Sequence, residues 1–215
     1  EIVAKMLTSH AYRELLAVAR FNDAIDLAPT DTDREYLDHV VEEEQEHYKK
    51  CLGVASELDI DLEPRVLKRL GQHPAGIPNF YIWTDFLLAH AFNDTAGIYV
   101  FEGIVGSKVK SYSDLHEAII TEERGHSEAG AKLLVSHFPH LNLESGHKER
   151  LLRIHIDAGI RCLGKPDSLV DRIAVEKGLK MKSAKDTIVA YCEYADDLVR
   201  KIGYSHFAPL AKRYL

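Results

Sequence analysis

Apolar residues recur at intervals of three, four and seven along almost the whole chain, and no stretch alternates apolar and polar residues in the manner of a strand. This periodicity predicts four long helices, a short helix between the second and the third, and further helices after the fourth. We therefore expect an all-α bundle within a single domain over residues 1–215, with additional C-terminal helices packed on it. The predicted bounds are about 4–26, 32–58, 79–105 and 114–137 for the long helices, about 4–138 for the bundle and about 147–210 for the C-terminal helices.

Two local signals refine this pattern. Thr32 and Glu35 have the spacing of a capping box, which predicts that the second helix begins there. The third helix is apolar nearly all round (YIWTDFLLAHAFNDTAGIYVF), which is typical of a helix at the centre of a bundle.

The composition, with 46% hydrophobic and 28% charged residues, is typical of a globular protein. The formal net charge of −7 argues against nucleic acid or an anionic membrane as the main partner. Cys51, Cys162 and Cys192 form no CxxC pair, which favours free thiols in a reducing cytoplasm. Because we also find neither a signal-peptide pattern nor an apolar run of eighteen residues, we expect a cytoplasmic protein that is not secreted and spans no membrane.

One charged run, EEEQEH at residues 42–47, interrupts the apolar face of the second helix. Glu44 follows Leu37 by seven residues and His47 follows Val40 by seven, so the period places both side chains on the buried face. A buried carboxylate beside a buried imidazole needs an explanation, because an unpaired buried charge costs on the order of several kcal/mol. The other three glutamates of the run are expected to face solvent: Glu42, Glu43 and Glu46.

The fourth helix repeats the arrangement in the segment TEERGHSEAG. Its apolar face, defined by Leu115 and Ile119, passes through Glu123 and His126. One Glu-x-x-His motif is weak evidence, but two on separate long helices match the pattern of bundles that bind two metal ions. Such bundles take one further carboxylate from each of the two remaining helices.

The partner carboxylates follow from hairpin geometry. Glu14 lies on the apolar side of the first helix and precedes Glu44 by thirty residues, so an antiparallel hairpin brings the two to the same height. The third helix offers two candidates, Asp94 and Glu102, and hairpin geometry alone permits either. Asp94 precedes Glu123 by twenty-nine residues, which nearly repeats the first spacing and favours Asp94.

Four carboxylates in an apolar bundle would repel one another unless cations neutralised them. Two divalent metal ions would make the set formally neutral. Oxygen-rich ligation with one imidazole for each metal suits iron, or alternatively manganese, better than zinc or copper. Such a centre can leave coordination positions open for dioxygen, which predicts oxidation chemistry.

The block IPNFYIWTDFLLAHAFNDTAGIYV, followed by TEERGHSEAG, resembles the phenylacetic acid catabolic proteins of the ferritin-like superfamily. The specific resemblance is to the catalytic oxygenase subunit of bacterial ring-1,2-phenylacetyl-coenzyme A epoxidase. It covers most of the chain, up to the segment DDLVRKIGY, although this chain is shorter and shows no match for residues that hold coenzyme A. The resemblance implies a ferritin-like four-helix bundle, prefers Asp94 over Glu102, and implies six metal ligands: Glu14, Glu44, His47, Asp94, Glu123 and His126.

The resulting expectation is a di-iron monooxygenase-type enzyme that hydroxylates or epoxidises a small organic substrate, with an acyl-coenzyme A thioester as the class that the resemblance implies. Electrons would come from a separate reductase, and the further expected partners are a homologous ferritin-like subunit and other copies of the chain. The alternatives are ferritin- or rubrerythrin-like handling of iron or peroxide, and a non-catalytic structural subunit of a multicomponent oxygenase. Retention of the full ligand set disfavours the structural subunit.

Other histidines receive simpler interpretations. His10 precedes Glu14 by four residues and His90 precedes Asp94 by four, so either could support a ligand, although a surface or packing role is favoured. Five further histidines are expected to be exposed or to cap helices: His39, His73, His116, His137 and His140.

Overall fold

The computed structural model describes residues 1–72, 80 and 82–215. Helices account for most of these residues and none of the described residues lies in a strand, which confirms the predicted all-α class. The helices are α1 (Ile2–Ile25), α2 (Asp31–Glu57), α3 (Leu62–Gly71), α4 (Trp83–Leu88), a π-helix (Ala89–Asp94), α5 (Thr95–Glu102), α6 (Lys110–His137), a 3₁₀ turn (Phe138–His140), α7 (Ser145–Cys162), α8 (Leu169–Glu176), α9 (Ala184–Lys201), a second 3₁₀ turn (Ser205–Phe207) and α10 (Ala211–Tyr214).

These helices divide into two compact units. The first unit comprises residues 1–86 and 109–119, and the second comprises residues 87–108 and 120–215, each as far as the structure describes it. The single domain expected from the sequence stays a prediction.

In the first unit, α1 and α2 pack on each other, and α3 packs on α1. Their facing sides bury the apolar residues at helical spacing, including Leu7, Leu37 and Val40. A connection of only five residues separates α1 from α2, so the two helices run antiparallel.

The start of α2 differs from the prediction. The N-cap is Thr30 rather than Thr32, because Thr30 has the extended backbone conformation of a cap and its hydroxyl accepts the Asp33 N–H at 3.1 Å. The sequence TDTDRE contains two overlapping threonine-x-x-acid patterns, and the earlier one is used.

In the second unit, α7 packs on the π-helix and on α5, and α9 packs on α5. The predicted third helix is three segments, since the π-helix separates α4 from α5; its predicted start near residue 79 lies outside the described residues. The predicted fourth helix, α6, begins at Lys110, earlier than the expected start after Ser113. The C-terminal helices expected over about 147–210 are confirmed as α7 to α9, and a capping box of Ser183 with Asp186 begins α9.

Candidate metal centre

Three of the six predicted ligands lie together in the first unit. Glu14 is on α1, and Glu44 and His47 are one turn apart on α2. Each offers one ligand atom, and these atoms lie within 4.8 Å of one another. His47 Nδ1 is 3.5 Å from an oxygen of Glu14 and 3.7 Å from an oxygen of Glu44. These side chains, which we call the first-unit cluster, form a group that could hold a metal ion.

The surroundings of the first-unit cluster fit a cation. Glu14 is 2% exposed, Glu44 is 4% exposed and His47 is fully buried. Water therefore provides little solvation for the two carboxylates, which repel each other when both are ionised. A divalent cation would offset both negative charges and accept the imidazole nitrogen as a neutral ligand.

Two of the three glutamates around Glu44 face outward as the period predicts. Glu42 and Glu46 are exposed, and Glu46 pairs with Lys49 at 2.5 Å. Glu43 is half-buried, with one oxygen 3.3 Å from His39 Nε2. The run EEEQEH therefore contributes one buried carboxylate, and that carboxylate is Glu44.

His10 lies directly behind the first-unit cluster. Its Nε2 is 2.6 Å from an oxygen of Glu14, and the side chain is almost fully buried. Burial, followed by the neighbouring His47 and Arg13, lowers the pKa of His10 to about 3, so its imidazole is neutral at pH 7. Of the surface and packing roles favoured for His10, the structure shows packing, with the ring in contact with the Glu14 carboxylate.

His116 is also buried, which contradicts the prediction that it is exposed or caps a helix. Its ring lies 4.6 Å from the ring of His10 between centroids, and its Nδ1 is 2.6 Å from the carbonyl oxygen of Tyr112. A carbonyl only accepts, so Nδ1 carries the proton and Nε2 carries the lone pair of the neutral ring. Burial, followed by His10, lowers the pKa of His116 well below its usual value. The spacing of His116 from Tyr112 and Ile119 already placed it on the apolar face of α6.

The second unit carries the other three predicted ligands. Glu123 and His126, on α6, are 8% and 6% exposed, as expected for residues on its apolar face. Asp94 is the last residue of the π-helix, and its side chain is 22% exposed. Among the described residues of this unit, Asp94, Glu123 and His126 do not form a second group of mutually close ligand atoms. Within the first unit, three predicted ligands therefore lie together, and the metal-binding roles of Asp94, Glu123 and His126 stay a prediction.

His90 stands beside Asp94 as His10 stands beside Glu14. His90 Nδ1 is 3.5 Å from an oxygen of Asp94, and the side chain is 1% exposed. Gly130 on α6 makes room for this ring, because a Cβ at position 130 would lie 2.5 Å from His90 Cδ2. A histidine four residues before each helix carboxylate is the sequence signal that identifies both contacts.

Glu102, the alternative to Asp94, pairs with two basic side chains of the protein. One oxygen accepts from Arg124 at 2.9 Å and the other accepts from Lys182 at 3.2 Å. Burial alone would raise the pKa of Glu102, but these two hydrogen bonds and the charges behind them lower it below its ordinary value. The carboxylate of Glu102 therefore already has positively charged partners, which argues against Glu102 as a metal ligand.

Neither protein-family models nor curated proteins give a match for this chain. Within the described ranges, none of the helices combines the length and the apolar character that crossing a membrane requires.

Proposed function

We propose that this protein is an oxygen-activating di-iron oxygenase, with manganese as the alternative metal. The proposal keeps all six predicted ligands, three in the first unit and three in the second. It includes membership of the phenylacetic acid catabolic proteins, which the sequence blocks around Asp94 and Glu123 suggest. The ligands are Glu14, Glu44, His47, Asp94, Glu123 and His126.

The main support for the proposal is the first-unit cluster. Two carboxylates and an imidazole with ligand atoms within 4.8 Å of one another, all buried, are a costly arrangement for a purely structural core. A bound divalent metal ion removes that cost, and the donor set suits iron. The second Glu-x-x-His motif on α6 supports a second metal ion, because each metal then receives one imidazole.

The metals would supply the activation of dioxygen, and the protein would supply ligand placement and a dry environment. Glu14, Glu44 and His47 would hold metal, and His10 would hold the Glu14 carboxylate at its observed distance of 2.6 Å. The overall reaction places one oxygen atom of dioxygen in the product and releases the other as water. It therefore consumes two electrons and two protons, which a separate reductase and solvent provide. The substrate would be a small organic molecule, with an acyl-coenzyme A thioester as the first class to test.

Metal analysis of protein from iron-supplied cells tests the centre. We expect about two metal ions for each chain. The metals are removed with a chelator under anaerobic conditions, and Fe(II) and Mn(II) are then offered separately. A content below about one metal ion for each chain after reconstitution would contradict the proposal.

Single-turnover chemistry tests the oxygenase assignment. The iron-loaded protein is reduced chemically and mixed with oxygen and a panel of acyl-coenzyme A thioesters. We expect a product heavier by one oxygen atom, labelled when ¹⁸O₂ is used. Oxygen or peroxide consumption without product, together with mineralised iron, would indicate iron or peroxide handling. A loaded protein that is inert alone and active only with a second ferritin-like chain would indicate a structural subunit.

A further inference from the structure

The π-helix in the second unit is held by two side chains of α9. The hydroxyl of Tyr194 donates to the carbonyl oxygen of Ala91 at 2.8 Å, and the hydroxyl of Tyr191 donates to that of Phe92 at 3.1 Å. Ala91 and Phe92 lie inside the π-helix. The wider turn of a π-helix distorts the regular backbone hydrogen bonds, so side-chain donors can stabilise its carbonyls.

The two tyrosines reach the π-helix because the packing around them leaves room. They are three residues apart on α9 and therefore lie on the same face. Gly159 of α7 sits against the Tyr191 hydroxyl, and a Cβ at this position would overlap that hydroxyl and lie 2.9 Å from the Phe92 carbonyl oxygen. The absence of a side chain on Gly159 thus permits the contact between Tyr191 and Phe92.

A hydrogen bond between two hydroxyl groups connects the residue after the π-helix to α6. Thr95 donates to the hydroxyl of Ser127 at 2.9 Å. The hydroxyls of Thr95 and Ser127 also lower the pKa of Tyr194 against the larger, raising effect of burial. Ser127 follows the predicted ligand His126 directly, while Asp94 ends the π-helix. Thr95 follows Asp94 directly, so the hydrogen bond between Thr95 and Ser127 links the two segments of the second unit that carry predicted ligands.

We propose that the hydroxyls of Tyr191 and Tyr194 are positioning groups that hold the π-helix in the conformation in which Asp94 binds a metal ion. This inference rests on the proposed function, since it needs Asp94 to be a ligand. Tyr191 and Tyr194 touch the backbone of the π-helix and act on the ligand through it, as outer-shell partners do. Burial raises the pKa of both tyrosines, so they remain protonated donors at physiological pH. A carbonyl oxygen is also a poor proton acceptor, which argues for a structural rather than a proton-transferring hydroxyl.

The test compares Tyr191→Phe and Tyr194→Phe with the matched control Tyr99→Phe. Tyr99 belongs to the same aromatic group, with ring centroids 5.9 Å from Tyr191 and 6.2 Å from Tyr194. Within the described structure its hydroxyl makes no hydrogen bond to the π-helix. All three variants lose the same single oxygen atom, and only two of them lose a donor to the carbonyls. Thermal unfolding shows whether each variant is folded before metal is added.

The measurements are the dissociation constants for Co(II) and Fe(II) under anaerobic conditions and the absorption spectrum of the Co(II)-loaded protein. We expect Tyr191→Phe and Tyr194→Phe to bind the weaker-held metal about 10- to 100-fold less tightly, with shifted absorption bands, whereas Tyr99→Phe matches the wild type. Equal affinities and spectra in all four proteins would overturn the inference and leave the proposed function intact. A wild-type protein that binds neither ion would overturn the proposed function, and with it any positioning of a ligand.

Discussion

The two units present their predicted ligands in different ways. In the first unit, Glu14, Glu44 and His47 stand on regular α-helices, are at most 4% exposed and lie within reach of one ion. In the second unit, Asp94 ends a π-helix, is 22% exposed and lies 3.5 Å from His90. Regular helix geometry sets the first arrangement, whereas in the second unit side chains of α9 donate hydrogen bonds to the carbonyl groups of an irregular helical segment.

Under the proposed function, this difference predicts that the two units bind metal ions with different affinities. A buried cluster on regular α-helices has its geometry before a metal ion binds, and such preorganisation favours tight binding. A ligand on an irregular helical segment can change its position more readily, and π-helical turns occur frequently at functional sites. Under the proposed function, the first unit would hold the tighter metal and the second would hold the more weakly bound one.

The largest expected effect is that of Glu44→Ala. We expect the variant to lose at least about one metal ion for each chain, because the first-unit cluster loses one of its two carboxylates. Glu42→Ala is the matched control, since Glu42 lies on the same helix, two residues away, and is exposed. Metal content after reconstitution measures both. Full metal content in Glu44→Ala would remove the first-unit cluster as a metal site.

The next effect compares two glycines of α6. A Cβ at Gly130 would lie 2.5 Å from the buried ring of His90, whereas a Cβ at Gly125 meets nothing within 4 Å. We expect Gly130→Ala to lower the free energy of unfolding by about 1–3 kcal/mol through overpacking. Gly125→Ala should raise it by about 0.5–1 kcal/mol through helix propensity. Urea denaturation of the metal-free proteins measures both, and two changes of the same sign would contradict the packing at His90.

The spacing of apolar residues correctly predicted the features that depend on regular helix geometry. It predicted the all-α class, the inward side chains of Glu44 and His47, and the outward side chains of Glu42 and Glu46. Each of these follows from a repeat of 3.6 residues within one helix. Glu14 required one further assumption, an antiparallel hairpin, and the short connection between α1 and α2 supplied it.

Periodicity failed where distant parts of the chain decide the local structure. The π-helix lies within a segment that reads as one continuous helix, and its hydrogen bonds to Tyr191 and Tyr194 span about a hundred residues. His116 was wrongly predicted to be exposed or to cap a helix, although its spacing from Tyr112 and Ile119 places it on the apolar face of α6; its contact with His10 comes from another helix. The N-cap of α2 was misplaced because two threonine-x-x-acid patterns, beginning at Thr30 and Thr32, overlap in its sequence.

A smaller effect concerns the pH dependence of the first unit. Burial lowers the folded-state pKa of His116 below 6.5, the ordinary value that applies in the unfolded chain. The contribution of the neutral His116 imidazole to stability is therefore fully present above pH 6.5. It is lost as the pH falls below 6.5, where the unfolded chain binds the proton first. For this one imidazole, the free energy of unfolding of the metal-free protein should fall by up to about 1.4 kcal/mol for each pH unit. Urea denaturation between pH 7 and pH 5 measures the slope, which His116→Gln should reduce; an equal slope in this variant would contradict the prediction.

The smallest effect separates Glu102 from Asp94 in the second unit. The folded-state pKa of Glu102 lies below 4.5, so its pairs with Arg124 and Lys182 stabilise the fold above that pH and lose this effect as the pH falls through the lowered pKa. We expect Glu102→Gln to lower the free energy of unfolding by at most about 1 kcal/mol at pH 7, and by less at pH 4. Its metal content should equal that of the wild type, whereas Asp94→Asn should bind less metal. The reverse result, with metal lost from Glu102→Gln and kept by Asp94→Asn, would transfer the ligand role from the π-helix to the end of α5. The positioning role of Tyr191 and Tyr194 would then be lost as well, because the segment they hold would carry no ligand.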